Sequence, residues 1–218
     1  MNEKQTSESR VFAIGDVHGE SKALEQLLEQ LDIGPGDTIV MLGDVINRGS
    51  DTRGVIDQLL ELQRRCNLLC ILGNHEQVLL EVLNRPSAIE QFLQMGGDKT
   101  LESYGNIQCP SEIAGHHLKF IRGFVPYVEL EECIFVHANY CWYMPMNEQP
   151  ASLLRWTRIE DEPPQAHISG KRVICGHSPG PVRDMGYYVC IDTGCGFGGK
   201  LTCISMHSRE HESLYFTT

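Results

Sequence analysis

The chain has no uninterrupted apolar stretch of 18 residues, so no segment is expected to cross a membrane as a helix. Cations are scarce as well: 18 lysines and arginines face 29 acids, a net charge of −11, with no basic cluster to offset it locally. Such a surface repels nucleic-acid backbones and anionic lipid, which excludes both as expected partners. An anionic substrate would have to find its positive charge in metal ions and a few placed arginines. The nine cysteines include no Cys-x-x-Cys pair, which leaves a thiolate zinc site a poor alternative. Cys70, Cys133, Cys175, Cys190 and Cys203 lie in apolar runs and read as small core residues of a reducing, cytoplasmic protein. Residues 1–10 are polar and lack an apolar centre, so they read as a disordered tail rather than a secretory signal. A single domain is expected over residues 11–218.

One pattern recurs along that domain: a short apolar run, a glycine, then a side chain able to hold a cation. Residues 11–14 lead into Gly15-Asp16-Val17-His18-Gly19. Residues 38–42 lead into Gly43-Asp44-Val45-Ile46-Asn47-Arg48-Gly49, and residues 67–72 into Gly73-Asn74-His75-Glu76. Between these runs, Ala23, Leu24, Leu27, Leu28 and Leu31, then Val55, Ile56, Leu59 and Leu60, recur at helical spacing. The order β-α-β-α-β predicts a parallel sheet with right-handed crossovers. In open α/β sheets the ligand site lies beyond the carboxyl ends of the strands. On extended backbone, Asp16 and His18 would project to one side, and Asn74 and His75 to opposite sides. Asn74 would then turn toward a metal beneath its loop and His75 toward a substrate above it.

Residues 76–123 read as helical, with a break at Gly96-Gly97. The pair His116-His117 reads as a polar helix face, because no strand end presents it. Residues 127–130 and 133–136 predict a hairpin whose second strand ends in His137. The proline-bearing stretch 141–170 is irregular and carries Leu153-Leu154-Arg155-Trp156-Thr157-Arg158. A strand over 171–175 ends at Gly176-His177, and one over 187–191 at Asp192-Thr193-Gly194. Residues 194–200 are glycine-rich, but a strand follows instead of the helix a phosphate-cradling loop needs, so they read as a hairpin turn.

The strand ends thus deliver Asp16, His18, Asp44, Asn74, His137 and His177, with His75 left over. Mixed nitrogen and oxygen donors without thiolate suit manganese, iron or zinc. Six ligands are too many for one four-coordinate zinc and right for two metals sharing a carboxylate. Two ions roughly 3.5–4 Å apart can hold a bridging hydroxide and both ends of an in-line displacement at phosphorus.

The three glycine-bounded motifs resemble, in order, those of the phosphoprotein phosphatase branch of calcineurin-like metallophosphoesterases. Val136-His137-Ala138 and Cys175-Gly176-His177-Ser178-Pro179 look like that family's later histidine motifs. The size, Trp156-Thr157-Arg158 and Asp192-Thr193-Gly194 are most similar to the short bacterial and phage serine/threonine protein phosphatases. The resemblance spans residues 11–206. It implies an α/β (α+β) fold, a β-sandwich with helices on its outer faces. It also implies two divalent ions, manganese first, with iron or zinc as alternatives. Asp16, His18 and Asp44 would hold one ion, with Asp44 bridging, and Asn74, His137 and His177 would complete the other. Arg48 and Arg158 would grip phosphate oxygens bidentately, with Arg155 as the runner-up to Arg158. His75 would be the general acid, acting on a phosphorylated protein or a small phosphate ester.

One position departs from that pattern. The family usually has an aspartate where this chain has Asn47, and that carboxylate supports the general-acid imidazolium. An amide can orient His75 but brings no negative charge. Symmetrical dinucleoside tetraphosphate hydrolases share the fold, do not always have aspartate here, and have a tail like residues 192–203. The chain length and Gly73-Asn74-His75-Glu76 favour the protein phosphatases. A phosphate-binding module with little catalysis is the third reading, and the complete ligand set argues against it.

Overall fold

The computed structural model describes residues 9–206 and 214–218. Two five-stranded sheets face each other. The first has the order β10-β9-β1-β2-β3, from β1 (Val11–Ile14), β2 (Thr38–Met41), β3 (Asn67–Cys70), β9 (Thr202–Met206) and β10 (Leu214–Thr217). The second has the order β4-β5-β6-β8-β7, from β4 (Val128–Glu129), β5 (Cys133–Phe135), β6 (Arg172–Cys175), β7 (Arg183–Asp184) and β8 (Tyr188–Cys190).

Alternation along the strands builds three apolar layers. Phe12 and Ile14 of β1 face the helices, whereas Ala13 between them enters the layer between the sheets. That middle layer joins Ala13, Val40 and Leu42 to Phe135, Ile174 and Val189 of the second sheet. The outer layer of the first sheet takes Leu24, Leu27 and Leu31 of α1 (Ser21–Leu31) and Val55, Ile56 and Leu59 of α2 (Thr52–Leu62). Asp51 caps α2, accepting the Gly54 N–H at 2.9 Å. The outer layer of the second sheet receives Leu154 of α7 (Ala151–Trp156). The α/β sandwich with helices outside, and the parallel β1-β2-β3 core, are as expected from the sequence.

Several local expectations change. The stretch 194–200 is not a hairpin turn, because β8 belongs to the second sheet and β9 pairs antiparallel with β1 in the first. The chain crosses between sheets through a short 3-10 turn over Cys195–Phe197, since β1 has an unpaired edge to offer and β7 takes the edge of β8. Asp16 and His18 do not share one extended strand, for His18 has φ 46°. Asn74 and His75 open α3 (Asn74–Asn84) instead of lying on extended backbone, and both approach the cluster of Asp44 and His137. The expected break at Gly96-Gly97 is a wide helical turn between α4 (Ile89–Phe92) and α5 (Asp98–Ser103), with Gly96 at φ 82°.

His117, on α6 (Gly115–Ile121), is not part of a polar face. It is buried, with Nδ1 2.6 Å from the Tyr104 hydroxyl and Nε2 3.1 Å from Asp57. Arg10, assigned by sequence to the tail, is anchored: its Nε donates to Asp37 at 3.1 Å and its Nη2 to the Asp32 carbonyl at 2.7 Å. Residues 1–8 of that tail lie outside the described residues.

Candidate metal centre and substrate pocket

The loops after β1, β2, β3, β5 and β6 meet at one end of the sandwich. Among the described residues, seven non-glycine residues have positive φ, and five of them are His18, Asp44, Asn47, Arg48 and His177. Left-handed backbone is costly for such residues and collects at sites the surrounding fold over-determines. The glycine that precedes a ligand has a concrete task at two positions. A Cβ on Gly73 would lie 2.1 Å from Asp44 Oδ1, and one on Gly176 would lie 2.1 Å from Asp16 Oδ1. Only glycine lets the carboxylates approach these turns so closely, and the turns repay them with N–H donors. His75 N donates to Asp44 Oδ1 at 3.1 Å, and His177 N to Asp16 at 3.2 Å.

Asp44 is the hub. Its Oδ2 lies 3.6 Å from His18 Nε2, 3.7 Å from His75 Nε2 and 3.5 Å from His137 Nε2. Two groups with metal-ligand spacing therefore share it: His18, Asp44 and His75, and Asp44, His137 and His177. Asp16 Oδ2 is 4.0 Å from His18 Nε2, a little outside the first group, and Asn74 Oδ1 is 3.1 Å from His137 Nε2.

Backbone carbonyls fix the tautomers. His137 Nδ1 faces the Leu42 carbonyl at 2.8 Å, His18 Nδ1 the Ile46 carbonyl at 3.0 Å, and His177 Nε2 the Trp156 carbonyl at 3.1 Å. A carbonyl only accepts, so these nitrogens carry the hydrogens and the opposite nitrogens present lone pairs. His137 Nε2 then stands 3.1 Å from both His177 Nδ1 and Asn74 Oδ1, three acceptors with no proton among them. Burial keeps the rings neutral, lowering His18 and His177 to about 3 and His137 to about 4. Burial likewise raises Asp44 to about 7 and Asp16 well above its ordinary value, with Asp192 and Asp44 adding to the rise at Asp16. Converging lone pairs and crowded buried carboxyls fit divalent cations, with nitrogen and oxygen donors of the borderline-hard type.

Around this centre lies a cavity of about 650 Å³ whose wall includes Arg48, His75, Gln91, Trp156, Arg158 and Phe197. Arg158 reaches it, whereas Arg155 donates from Nη1 to Gln77 Oε1 at 2.9 Å and lies outside the lining. Arg48 is not simply aimed at open space. Its Nη1 donates to His18 Nε2 at 2.6 Å, its guanidinium lies 4.2 Å over the Phe197 ring, and its N–H bonds the Gly96 carbonyl at 3.1 Å. His75 is buried, and burial first, then His18 and Arg48, drive its pKa well below the ordinary value. Its Nδ1 lies 2.9 Å from the Asn47 amide nitrogen.

Sequence reasoning passed over three supports. Glu76 is fully buried and accepts N–H bonds from Asp44 and Val45 at 2.9 Å, Ile46 at 3.3 Å and Gly73 at 3.2 Å, pinning the Asp44 loop to α3. It lies inside the Gly73–Glu76 motif, where a buried acid was the available signal. Asp192 is buried beside Asp16 and raises its pKa. Thr100 meets Asn47 from 53 residues away, and nothing in the local sequence announces it.

Residues 9–194 match the family model described as calcineurin-like phosphoesterase. Serine/threonine-protein phosphatase 1 of Salmonella typhimurium is 28% identical over 202 residues, 88% of this chain and 89% of that protein. The symmetrical bis(5'-nucleosyl)-tetraphosphatase of Chromobacterium violaceum is 31% identical over 124 residues, 53% of this chain and 44% of that protein. The match therefore spans less than half of that relative's length. A solved structure of a candidate diadenosine tetraphosphatase superposes with a TM-score of 0.73 at 19% identity, covering 97% of this chain and 95% of that one, a likeness of fold.

Proposed function

This chain belongs to the calcineurin-like phosphoesterase family and is a phosphoester hydrolase, and from that premise we propose that it is a serine/threonine protein phosphatase. The observation that carries the reading is the pair of ligand groups sharing Asp44 beneath a cavity that Arg48 and Arg158 enter. The end-to-end similarity to the Salmonella phosphatase supports the choice of substrate.

In this reading Asp16, His18 and Asp44 would hold one divalent ion, and Asn74, His137 and His177, with Asp44, would hold a second. Manganese is proposed for both, with iron or zinc suited to the same donors. Bound there, the ions supply Lewis acidity toward phosphoryl oxygens and lower the pKa of water. The protein's own groups bind and orient. Arg48 and Arg158, both lining the cavity, would grip phosphoryl oxygens, Arg48 in place of its contact with His18 Nε2. His75 presents Nε2 to the departing oxygen, and Asn47 holds the ring by Nδ1. Asn47 brings no charge to favour an imidazolium, so His75 serves good leaving groups better than serine alkoxide. That feature favours a second reading, hydrolysis of dinucleoside tetraphosphates, whose leaving group is a phosphate. The cysteine usage supports a reducing, cytoplasmic setting.

The deciding experiment loads purified protein with Mn²⁺ and assays an aryl phosphate, a phosphoserine peptide and diadenosine tetraphosphate side by side. The aryl phosphate, with its better leaving group, should turn over fastest, and the first reading requires a higher kcat/KM on the peptide than on the tetraphosphate. A preference for the tetraphosphate moves the assignment to the second reading, and tight phosphate binding with no turnover on any substrate leaves a binding module.

A further inference from the structure

The Asn47 carboxamide stands between two fully buried partners. Its Nδ2 lies 2.9 Å from His75 Nδ1, and its Oδ1 accepts the Thr100 hydroxyl at 2.7 Å. Thr100 Oγ1 also receives the Asn47 backbone N–H at 3.0 Å and meets Thr52 Oγ1 at 3.1 Å. Asn47, Thr52 and Thr100 are all 0% exposed, so these groups must satisfy one another.

A carboxamide is nearly symmetric in shape, and its orientation is decided by which neighbour can donate. We infer that Thr100 is a positioning residue for His75, acting through that amide. With the Thr100 proton on Asn47 Oδ1, the NH2 group must face His75. An NH2 group only donates, so Nδ1 has to accept and the single hydrogen of the neutral ring sits on Nε2. That nitrogen is the one 3.7 Å from Asp44 and nearest the ligand groups. Thr52 completes the chain by donating to Thr100 Oγ1, which leaves the Thr100 proton free for Asn47. If Thr100 instead turned its proton to Thr52, the amide could flip, and its oxygen would draw the His75 hydrogen to Nδ1. A hydroxyl on α5 thus selects the tautomer of a ring on α3.

The kinetic consequence rests on the reading of His75 as the group that hydrogen-bonds the departing oxygen through a neutral Nε2–H, since an imidazolium would set Nδ1–H against the Asn47 NH2; the tautomer does not rest on that reading. Two measurements separate them. In protein with ¹⁵N-histidine, metal-free and with diamagnetic Zn²⁺, ring nitrogen shifts should report the Nε2–H tautomer for His75 in the wild type and in Thr100→Ser. In Thr100→Val either amide orientation leaves one buried group unpaired, the preference disappears, and both tautomers should be populated. The second measurement is a double-mutant cycle with Asn47→Asp, whose carboxylate has two equivalent oxygens and no orientation to fix. Thr100→Val should lower kcat roughly tenfold with Asn47 present and less than about twofold in the Asn47→Asp background, at unchanged KM. Thr100→Ser should restore kcat, which a purely structural defect would not separate from folding. An Nδ1–H wild type, the same tautomer in Thr100→Val, or equal losses in both backgrounds would overturn the inference. Full kcat in His75→Ala would instead overturn the reading of His75, and the spectra would still decide the tautomer.

Discussion

Among the described residues, two clusters of histidine and aspartate stand out, and they are built in opposite ways. In the strand-end cluster, carbonyls take the ring hydrogens and leave His137 and His177 lone pairs face to face at 3.1 Å. In the helical cluster, His117 has Tyr104 on one nitrogen and Asp57 on the other, so both its ring nitrogens are paired by the protein itself. The first sits on glycine-bounded, left-handed turns and is buried; the second sits on regular helices with Asp57 half open to solvent. Spacing alone does not separate them, for Asp57, His116 and His117 also lie within ligand distance of one another. What distinguishes a site from a structural contact is a set of acceptors that the fold leaves without donors.

The largest expected effect tests that contrast directly. Asp44→Ala should remove both metal ions and abolish turnover of phosphate esters, whereas Asp57→Ala should leave metal content and turnover unchanged. Elemental analysis after Mn²⁺ loading checks both. Metal loss in the Asp57 variant would erase the distinction.

A smaller effect compares two arginines three residues apart. Arg158 reaches the cavity and Arg155 is held by Gln77. Arg158→Ala should lower kcat/KM roughly 30-fold, the loss of about 2 kcal/mol of charged hydrogen bonding, with metal content intact. Arg155→Ala should change it little. The reverse order would reassign the phosphate contact.

The mildest effect is on the stability of metal-free protein. Burial raises Asp44 to about 7, and burial with the nearby Asp44 raises Glu76 to about 8 against its N–H partners. A carboxyl raised in the fold contributes stability that is complete below its unfolded pKa and is lost as pH climbs through the folded value. The buried histidines have lowered values, so their contribution is lost as pH falls below about 6.5. The two windows oppose each other in acid, and above about pH 6.5 only the carboxyls titrate. The melting temperature of metal-free protein should therefore fall between about pH 6.5 and 8, and Asp44→Asn should blunt the fall. A flat or rising profile would contradict the cause assigned to these shifts. His117 of the helical cluster contributes nothing there, since burial lowers its pKa and its loss lies on the acid side.

The parallel β1-β2-β3 core and its helices were legible because apolar runs and helical spacing are local signals, and the family resemblance implied the sandwich; the strand-end pattern, with a glycine in every motif except that of His137, carried all six proposed ligands to one end of it. The register of Asp16 with His18 and of Asn74 with His75 was not, because the chain leaves the strand before each pair is complete. Which strand partners which is a non-local choice, and so β9 crossing back to β1 after β8 escaped a reading made along the chain. The same limit hid Thr100, whose contact with Asn47 spans 53 residues, and made His117 look like surface when Tyr104 and Asp57 enclose it.

The central claim is that two ions share the Asp44 carboxylate. Electron paramagnetic resonance of the Mn²⁺-loaded protein tests it most directly. Near two ions per chain, the account predicts the multiline signal of an exchange-coupled manganese pair, unchanged in Asp57→Ala. An isolated six-line Mn²⁺ signal at full activity, with one ion per chain, would contradict it.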